Sequence, residues 1–111
     1  FAENDREKCF VEVKNVSLKE GGFALFPDSV TTRGLKHLST LSEVKKAGMR
    51  AVMLYIIQRS DVEIFAPAKE IDADYAAMLK KVAADGVEIM AMQAKVSPLE
   101  IKLVRKLPVE L

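Results

Sequence analysis

The run AVMLYII, residues 51–57, decides the fold of this chain. It is continuously apolar, which is typical of a central strand whose two sheet faces are both covered. The run ends abruptly in Gln58-Arg59-Ser60-Asp61. Polar side chains at the end of a buried strand often belong to a functional site in α/β proteins, and equally often only terminate the strand. A functional role and a purely structural one are therefore equally supported for Gln58, Arg59 and Asp61.

Helical segments lie on both sides of this run. In residues 31–47 an apolar side chain recurs every third position, which predicts an amphipathic helix with Thr31 as N-cap and Gly48 at its end. Residues 73–85 predict a second helix, capped by Asp72.

Strand-like segments complete the pattern. Residues 9–18 and 23–26 read as a hairpin around Gly21-Gly22, and 87–96 as a later strand. We expect 62–71 to be irregular and the tail after Pro98 to be extended. The order β-β-α-β-α-β predicts an α/β fold, with right-handed crossovers and a mixed β-sheet flanked by helices.

The first strand contains Val11-Glu12-Val13-Lys14. Since a strand repeats every two residues, Glu12 and Lys14 share one face, and the two valines share the other, which suits burial. A carboxylate and an ammonium in this arrangement resemble half of a metal-assisted phosphodiester-cleaving cluster, in which Glu12 binds the cation. The same spacing also suits a solvated face with an ion pair, and spacing alone favours that simpler interpretation.

Length, composition and charge limit the classes of protein to which the chain can belong. The chain has 111 residues, a formal net charge of +1 and 50% hydrophobic residues, which fits one domain with a real core. The single cysteine, Cys9, excludes an internal disulfide and fits a reducing cytoplasm. No apolar run approaches the roughly 20 residues of a membrane span. Because the chain starts at Phe1 rather than Met, we expect it to be a piece of a longer protein.

Other polar residues have both functional and structural interpretations. Arg33 and His37 are four apart and share a helix face, where they could contact a phosphate backbone. A lone histidine beside an apolar stripe is more often structural, and Lys36 is better explained as a solvated residue. Asp28 suits a turn better than a metal site.

The sulfur-containing residues are weaker candidates. Cys9 lacks a partner histidine in a nucleophile-like motif, so an inert, buried thiol is favoured. Met90 and Met92 are better explained as sheet filler than as ligands.

Several long blocks together resemble one family. The segments FVEVKNVSL (10–18), ALFPDSVTTRGLKHL (24–38), the strand ending in QR-x-D, FAPAKEIDADYAAMLKKVAADGVEIMA (65–91) and KLPVEL (106–111) resemble the sugar fermentation stimulation protein A family. The resemblance covers nearly the whole chain, and it is far more specific than one Glu-x-Lys.

The resemblance implies a function and a fold. Family members are bacterial and archaeal cytoplasmic proteins described as DNA-binding and linked to maltose-utilisation genes. Their fold is an N-terminal OB-like domain followed by a restriction-endonuclease-like domain of the PD-(D/E)xK superfamily. In that superfamily an upstream Asp joins the Glu and the Lys of Glu-x-Lys around Mg²⁺ or Mn²⁺. Glu12 and Lys14 match the second and third residues of this Asp, Glu and Lys cluster.

The first member of the cluster has no match. Asp5 and Glu3 are acidic, but they lie in or beside the polar turn NDREK, so the role is not assigned to them. We expect residues 1–111 to be a single nuclease-like C-terminal domain without the OB-like domain, with a complete cation site only in the intact protein. DNA or RNA would be the partner, contacted by Arg33, His37 and Arg59. The alternative is a non-catalytic DNA-binding regulator on the same scaffold.

Overall fold

A computed structural model of the chain describes residues 8–111, apart from the side chain of Val96. The elements in this range follow the order that the sequence predicts, with three additional strands. In chain order they are β1 (Cys9–Val16), β2 (Leu18–Glu20), β3 (Phe23–Phe26), α1 (Thr32–Lys46), β4 (Arg50–Ile57), β5 (Ile64–Pro67), α2 (Ala73–Ala84), β6 (Glu88–Val96) and β7 (Ile101–Leu107). None of the helices in this range is long and apolar enough to cross a membrane.

The main sheet has the strand order β1-β4-β6-β7. Strands β1, β4 and β6 run parallel, and β7 is antiparallel to β6. The predicted mixed sheet is therefore confirmed, and the run that begins at Ala51 forms one of its two central strands. Helix α1 lies in the connection from β1 to β4, and α2 in the connection from β4 to β6.

A second sheet, with the order β2-β3-β5, differs from expectation. The predicted first strand, 9–18, breaks at Ser17, so that β1 joins the main sheet and only β2 forms the hairpin with β3. The expectation of an irregular segment over 62–71 is wrong for β5, which pairs in parallel with β3. Pro67 is the last residue of β5, which lies at the end of the strand order, where a missing N–H is tolerated.

The hydrophobic core lies on one face of the main sheet. Its members include Met53, Tyr55 and Ala91 from the sheet, packed with Leu38 of α1 and Leu79 of α2. Both connections run between neighbouring parallel strands and in the same direction across the sheet. Right-handed crossovers of that kind place both helices on the same face. We call this the inner face; within residues 8–111 both helices lie on it.

The burial expected for Val11 and Val13 is wrong. They are 45% and 50% exposed, because they project from the opposite face, which we call the open face. Its apolar side chains, in strand order, include Val11, Val13, the buried Val52, Leu54, Ile56, Met90, Met92 and Leu103. Glu12 and Lys14 do share a face, as predicted, but it is the inner one.

Two tyrosines form the polar centre of the core. The hydroxyl groups of Tyr55 and Tyr75 are 2.5 Å apart and both rings are fully buried. Phe65 stacks on Tyr55 with ring centroids 4.2 Å apart. Burial raises the pKa of Tyr55 well above its usual value and that of Tyr75 to about 12. The pair therefore stays neutral, and one hydroxyl donates a hydrogen bond to the oxygen of the other.

Asp72 joins the beginnings of the two helices. Its carboxylate accepts hydrogen bonds from the Tyr75 N–H at 3.0 Å, as the predicted N-cap of α2, and from the Thr31 N–H at 2.9 Å. Thr31 is itself the N-cap of α1 and accepts from Gly34 N–H at 2.9 Å. The two backbone hydrogen bonds lower the pKa of Asp72. One buried carboxylate thus fixes α1 relative to α2.

We predict that Asp72→Ala lowers the free energy of unfolding by about 2 kcal/mol, since it removes a helix cap and leaves the Thr31 N–H without its acceptor. Because the pKa of Asp72 is depressed in the folded state, its contribution is present above the unfolded value, near pH 4. It is lost as the pH falls through the folded value. Urea denaturation at pH 7 and below pH 4 measures both effects.

Asp85→Ala is the matched control, because Asp85 forms an exposed ion pair with Lys81. It should cost no more than about 0.5 kcal/mol. Equal losses in the two variants would contradict the bridging role of Asp72.

Candidate functional site

Strand β1 places the predicted pair under helix α1. Glu12 lies opposite Met53 and Lys14 opposite Tyr55 in the parallel register with β4, and both are partly buried. The β-branched neighbours favour the extended backbone that directs the two polar side chains to the same side. A carboxylate and an ammonium are therefore held together at the border of the core.

His37 of α1 contacts both members of the pair. Its Nδ1 atom is 2.6 Å from Lys14 Nζ and 3.3 Å from Glu12 Oε1. An ammonium can only donate, so at 2.6 Å Nδ1 accepts from Lys14 and the ring proton is on Nε2. In this neutral tautomer, the approach to Glu12 is a contact without a hydrogen bond. The structure thus brings together Glu12, Lys14 and His37.

Lys14 has an altered protonation equilibrium. Burial lowers the pKa of Lys14; the Glu12 carboxylate opposes this effect and the Arg33 guanidinium reinforces it. Arg33 itself is exposed on α1, so a free cation faces solvent beside the cluster. Lysines with a depressed pKa near a carboxylate are a recurrent feature of catalytic sites, though ion-pair networks also produce them.

Close helix packing determines where His37 lies. A Cβ atom on Gly34 would come within 2.7 Å of Thr31 Cγ2 and 2.9 Å of Tyr75 Cε2. Only glycine allows α1 to approach α2 so closely, and His37 is one turn further along the same helix. The helix pattern predicts His37 as a phosphate contact, but it does not predict the hydrogen bond to Lys14. Lys14 and His37 are 23 positions apart in sequence, and the periodicity of a strand or a helix predicts no contact at that separation.

The other candidates divide between exposed and partly buried positions. Asp28 and Lys36 are exposed, which agrees with their turn and surface interpretations. Cys9 is only partly buried, less than expected, and lies at the start of β1. Met90 and Met92 are partly buried on the open face, as filler of the sheet.

Arg59 and Asp61 form a separate ion pair. Arg59 donates from Nε and Nη2 to the two oxygens of Asp61 at 2.9 and 2.8 Å, and from Nη1 to the Ser17 carbonyl at 3.2 Å. This guanidinium lowers the pKa of Asp61 to about 2. The backbone carbonyl of Arg59 also accepts from the buried Gln93 side chain at 2.6 Å. The contacts attach the end of β4 to the β1–β2 junction. Gln58 is exposed beside this network.

A cavity of about 430 Å³ lies elsewhere, at the second sheet. Its lining residues are Glu20, Phe23, Leu25, Ala66, Pro67, Ala68, Lys69, Glu70, Ile71, Glu110 and Leu111. Glu12, Lys14 and His37 are not among them. The candidate site is therefore a surface cluster and not a closed pocket.

The ligand set for a metal ion is incomplete within the described range. Residues 8–111 contain no group of three His, Cys, Asp or Glu side chains arranged to hold a cation. Glu12 supplies one carboxylate and His37 lies beside it, whereas Mg²⁺ and similar cations require about six, mostly oxygen, ligands. Asp5 and Glu3 lie outside the described residues.

Comparison with solved structures identifies the class of fold. The chain superimposes on SfsA of Pyrococcus furiosus, solved in complex with Ca²⁺, with a TM-score of 0.88 and 33% identity over 96% of this chain. The fold is a restriction-endonuclease-like α/β domain.

The sequence comparisons identify the family. The model described as "Sugar fermentation stimulation protein RE domain" matches residues 1–100. The chain is 50% identical over 96% of its length to a sugar fermentation stimulation protein homolog of Geobacter metallireducens and 47% identical to one of Shewanella halifaxensis. It belongs to the sugar fermentation stimulation protein family.

The chain spans about half the length of these relatives, 46% of both the Geobacter and the Shewanella proteins and 47% of the Pyrococcus chain. We call a polypeptide of the relatives' length the full-length protein.

Proposed function

We propose that, within the full-length protein, this domain performs divalent-metal-dependent cleavage of phosphodiester bonds in DNA or RNA. The observation that carries the proposal is the contact of Glu12, Lys14 and His37 on the inner face of a restriction-endonuclease-like sheet. A carboxylate and a partly desolvated lysine that both contact one imidazole, at 3.3 Å and 2.6 Å, are suited to binding a cation and managing a proton.

Glu12 would hold the cation together with oxygen ligands from outside the described residues. The bound Mg²⁺ or Mn²⁺ would polarise the scissile phosphate. The Ca²⁺ complex of the Pyrococcus relative supports a cation site in that protein, and by relationship here. Glu12 suits the role because it is partly buried on a strand paired in the main sheet, and its Oε1 atom contacts the neutral His37 ring without a hydrogen bond.

Lys14 would stabilise the negative charge that develops on the phosphate, or orient the attacking water. His37 would position it, since Nδ1 accepts from Lys14 Nζ and thereby selects one orientation of a flexible side chain. The lowered pKa of Lys14 makes its proton easier to transfer than that of a solvated lysine.

Arg33 is the favoured contact for the nucleic-acid backbone. It is exposed and close enough to Lys14 to influence its pKa. Arg59 is less available, because a phosphate would have to displace Asp61 from a bidentate ion pair. His37 would approach a phosphate only through Nε2, since Nδ1 is engaged by Lys14.

An alternative function retains the restriction-endonuclease-like fold but involves no phosphodiester cleavage. The incomplete ligand set in residues 8–111 favours a non-catalytic DNA-binding regulator, acting on sugar (maltose) utilisation genes as the family resemblance implies. Both functions would use the same phosphate contacts. An assay for nucleic-acid cleavage distinguishes between them.

We predict that Glu12→Gln in the full-length protein weakens Mn²⁺ binding at this site and lowers kcat/KM at least about 100-fold, whereas Lys14→Met retains Mn²⁺ but loses cleavage to a similar extent. Calorimetry with Mn²⁺ and a cleavage assay on DNA and RNA measure these effects. Glu43→Gln and Lys45→Met provide the matched controls, because this Glu-x-Lys pair is exposed on α1. Wild-type protein that binds DNA without cleaving it would establish the regulator instead.

We predict that His37→Leu lowers kcat about 10-fold or more with little change in KM, and that His37→Asn restores most of the rate because its side-chain oxygen can lie near the position of Nδ1. The Mn²⁺ affinity should stay within about twofold in both variants, since His37 acts through Lys14. Lys36→Leu, at an exposed position of the same helix, is the control. A large loss of Mn²⁺ affinity in His37→Leu would make His37 a ligand and contradict the positioning role.

We predict that Arg33→Ala weakens DNA binding about equally for unrelated sequences and lowers the salt dependence of log K by about one unit of slope, as expected for one lost phosphate contact. Arg59→Ala should change neither quantity appreciably, because Arg59 is engaged by Asp61. Fluorescence anisotropy at several salt concentrations compares the two. Identical behaviour of wild type and Arg33→Ala would remove Arg33 from the interface.

A further inference from the structure

The open face of the main sheet is apolar across all four strands. Val13, Leu54 and Met90 form one row from β1 through β4 to β6, and Ile56 and Met92 form the next. Beyond the register shift in β6–β7, Leu103 lies opposite Ala94 and is 49% exposed. The apolar band thus runs diagonally across the sheet, and the row of Ile56 and Met92 ends at Asn15 of β1 and at Lys106 of β7.

Within residues 8–111 neither helix packs on this band; Val52 of β4 is 4% exposed, whereas Val11 and Val13 of β1 are 45% and 50% exposed. The core cluster takes its sheet residues from the inner face, where both helices and Phe65 of the second sheet pack. Parallel strands rarely leave a face open to water, because their sequences are apolar on both sides. Strand β4, with Val52, Leu54 and Ile56 on the open face and Met53 and Tyr55 on the inner one, follows that pattern.

The size of the band argues against a second copy of the chain as the cover. Four strands about 4.8 Å apart and about five residues long at about 3.3 Å per residue present on the order of 300 Å². Two copies meeting there would bury well below the roughly 1,200 Å² of a stable interface. A cover within the same polypeptide loses no translational freedom on docking, so a small area suffices.

The relatives contain enough additional chain to supply such a cover. The matched region is 46% of the Geobacter protein and 47% of the Pyrococcus chain, so more than an equal length lies outside it. The polar residues at the ends of the apolar band indicate which groups a covering surface has to present. The ion pair of Arg50 with Glu88 borders it at one end, and the exposed Lys106 lies beside Met92 at the β7 edge.

We propose that the open face is an intramolecular docking surface for the part of the full-length polypeptide outside the matched region, which contributes an apolar surface with a carboxylate facing Lys106. The open face and the candidate site lie on opposite sides of β1, so docking leaves Glu12, Lys14 and His37 accessible. The surface does not depend on the proposed cleavage.

Methionine oxidation of the full-length protein tests the proposal. Met49, Met90 and Met92 are all partly buried in the domain alone, whereas Met53 is fully buried. With dilute peroxide and mass spectrometry, we expect Met90 and Met92 to oxidise at least about fivefold more slowly than Met49 and to approach the rate of Met53. The measurement is made on the monomer fraction at two protein concentrations.

A pair of substitutions provides the second measurement. Val13→Lys in the full-length protein should lower the Tm by roughly 5 °C or more, as for a buried position, and Val30→Lys by less than about 2 °C. Val30 is the control because it is 71% exposed and lies outside the open face. Oxidation of Met90 and Met92 at the rate of Met49 would overturn the proposal. Protection confined to a dimer would also overturn it, in favour of a second copy.

Discussion

The handedness of the two crossovers is the constraint on which the rest of the structure depends. Strands β1, β4 and β6 are adjacent, parallel and connected in one direction, so right-handed connections place α1 and α2 together on one face. This handedness makes the face that carries Glu12 and Lys14 the inner face. It also leaves Val11 and Val13, the more hydrophobic residues of the strand, on the side without helices.

This arrangement gives the polar pair its chemical properties. A lysine on a solvated strand face would have no reason to lose affinity for its proton, whereas Lys14 does so because α1 partly covers it. Partial burial also strengthens its interaction with Glu12, since the effective dielectric is lower than in water. His37 satisfies the ammonium without adding a charge, so the cluster is partly desolvated and still hydrogen-bonded.

Local sequence signals predicted the elements well and their faces poorly. The N-caps Thr31 and Asp72, the central strand and the shared face of Glu12 and Lys14 are all set by local patterns, and the structure confirms them. The inner face could not be chosen from β1 alone, because its alternation specifies two faces without saying which one the helices cover. Strand β5 was missed because four residues ending in Pro67 give little periodicity, and its burial depends on a distant partner, β3.

The candidate site also depends on contacts far from it in sequence. His37 reaches Lys14 only if α1 has the correct position, which requires the Gly34–Tyr75 approach and the Asp72 hydrogen bond to Thr31. Both contacts involve the start of α2, where Tyr75 also belongs to the hydrophobic core together with Leu79. A change in core packing is therefore transmitted to the cluster through rigid helix ends, because close-packed interiors accommodate shifts poorly. The sequence motif supplies the reactive groups, and the α1–α2 contact holds them at hydrogen-bonding distance.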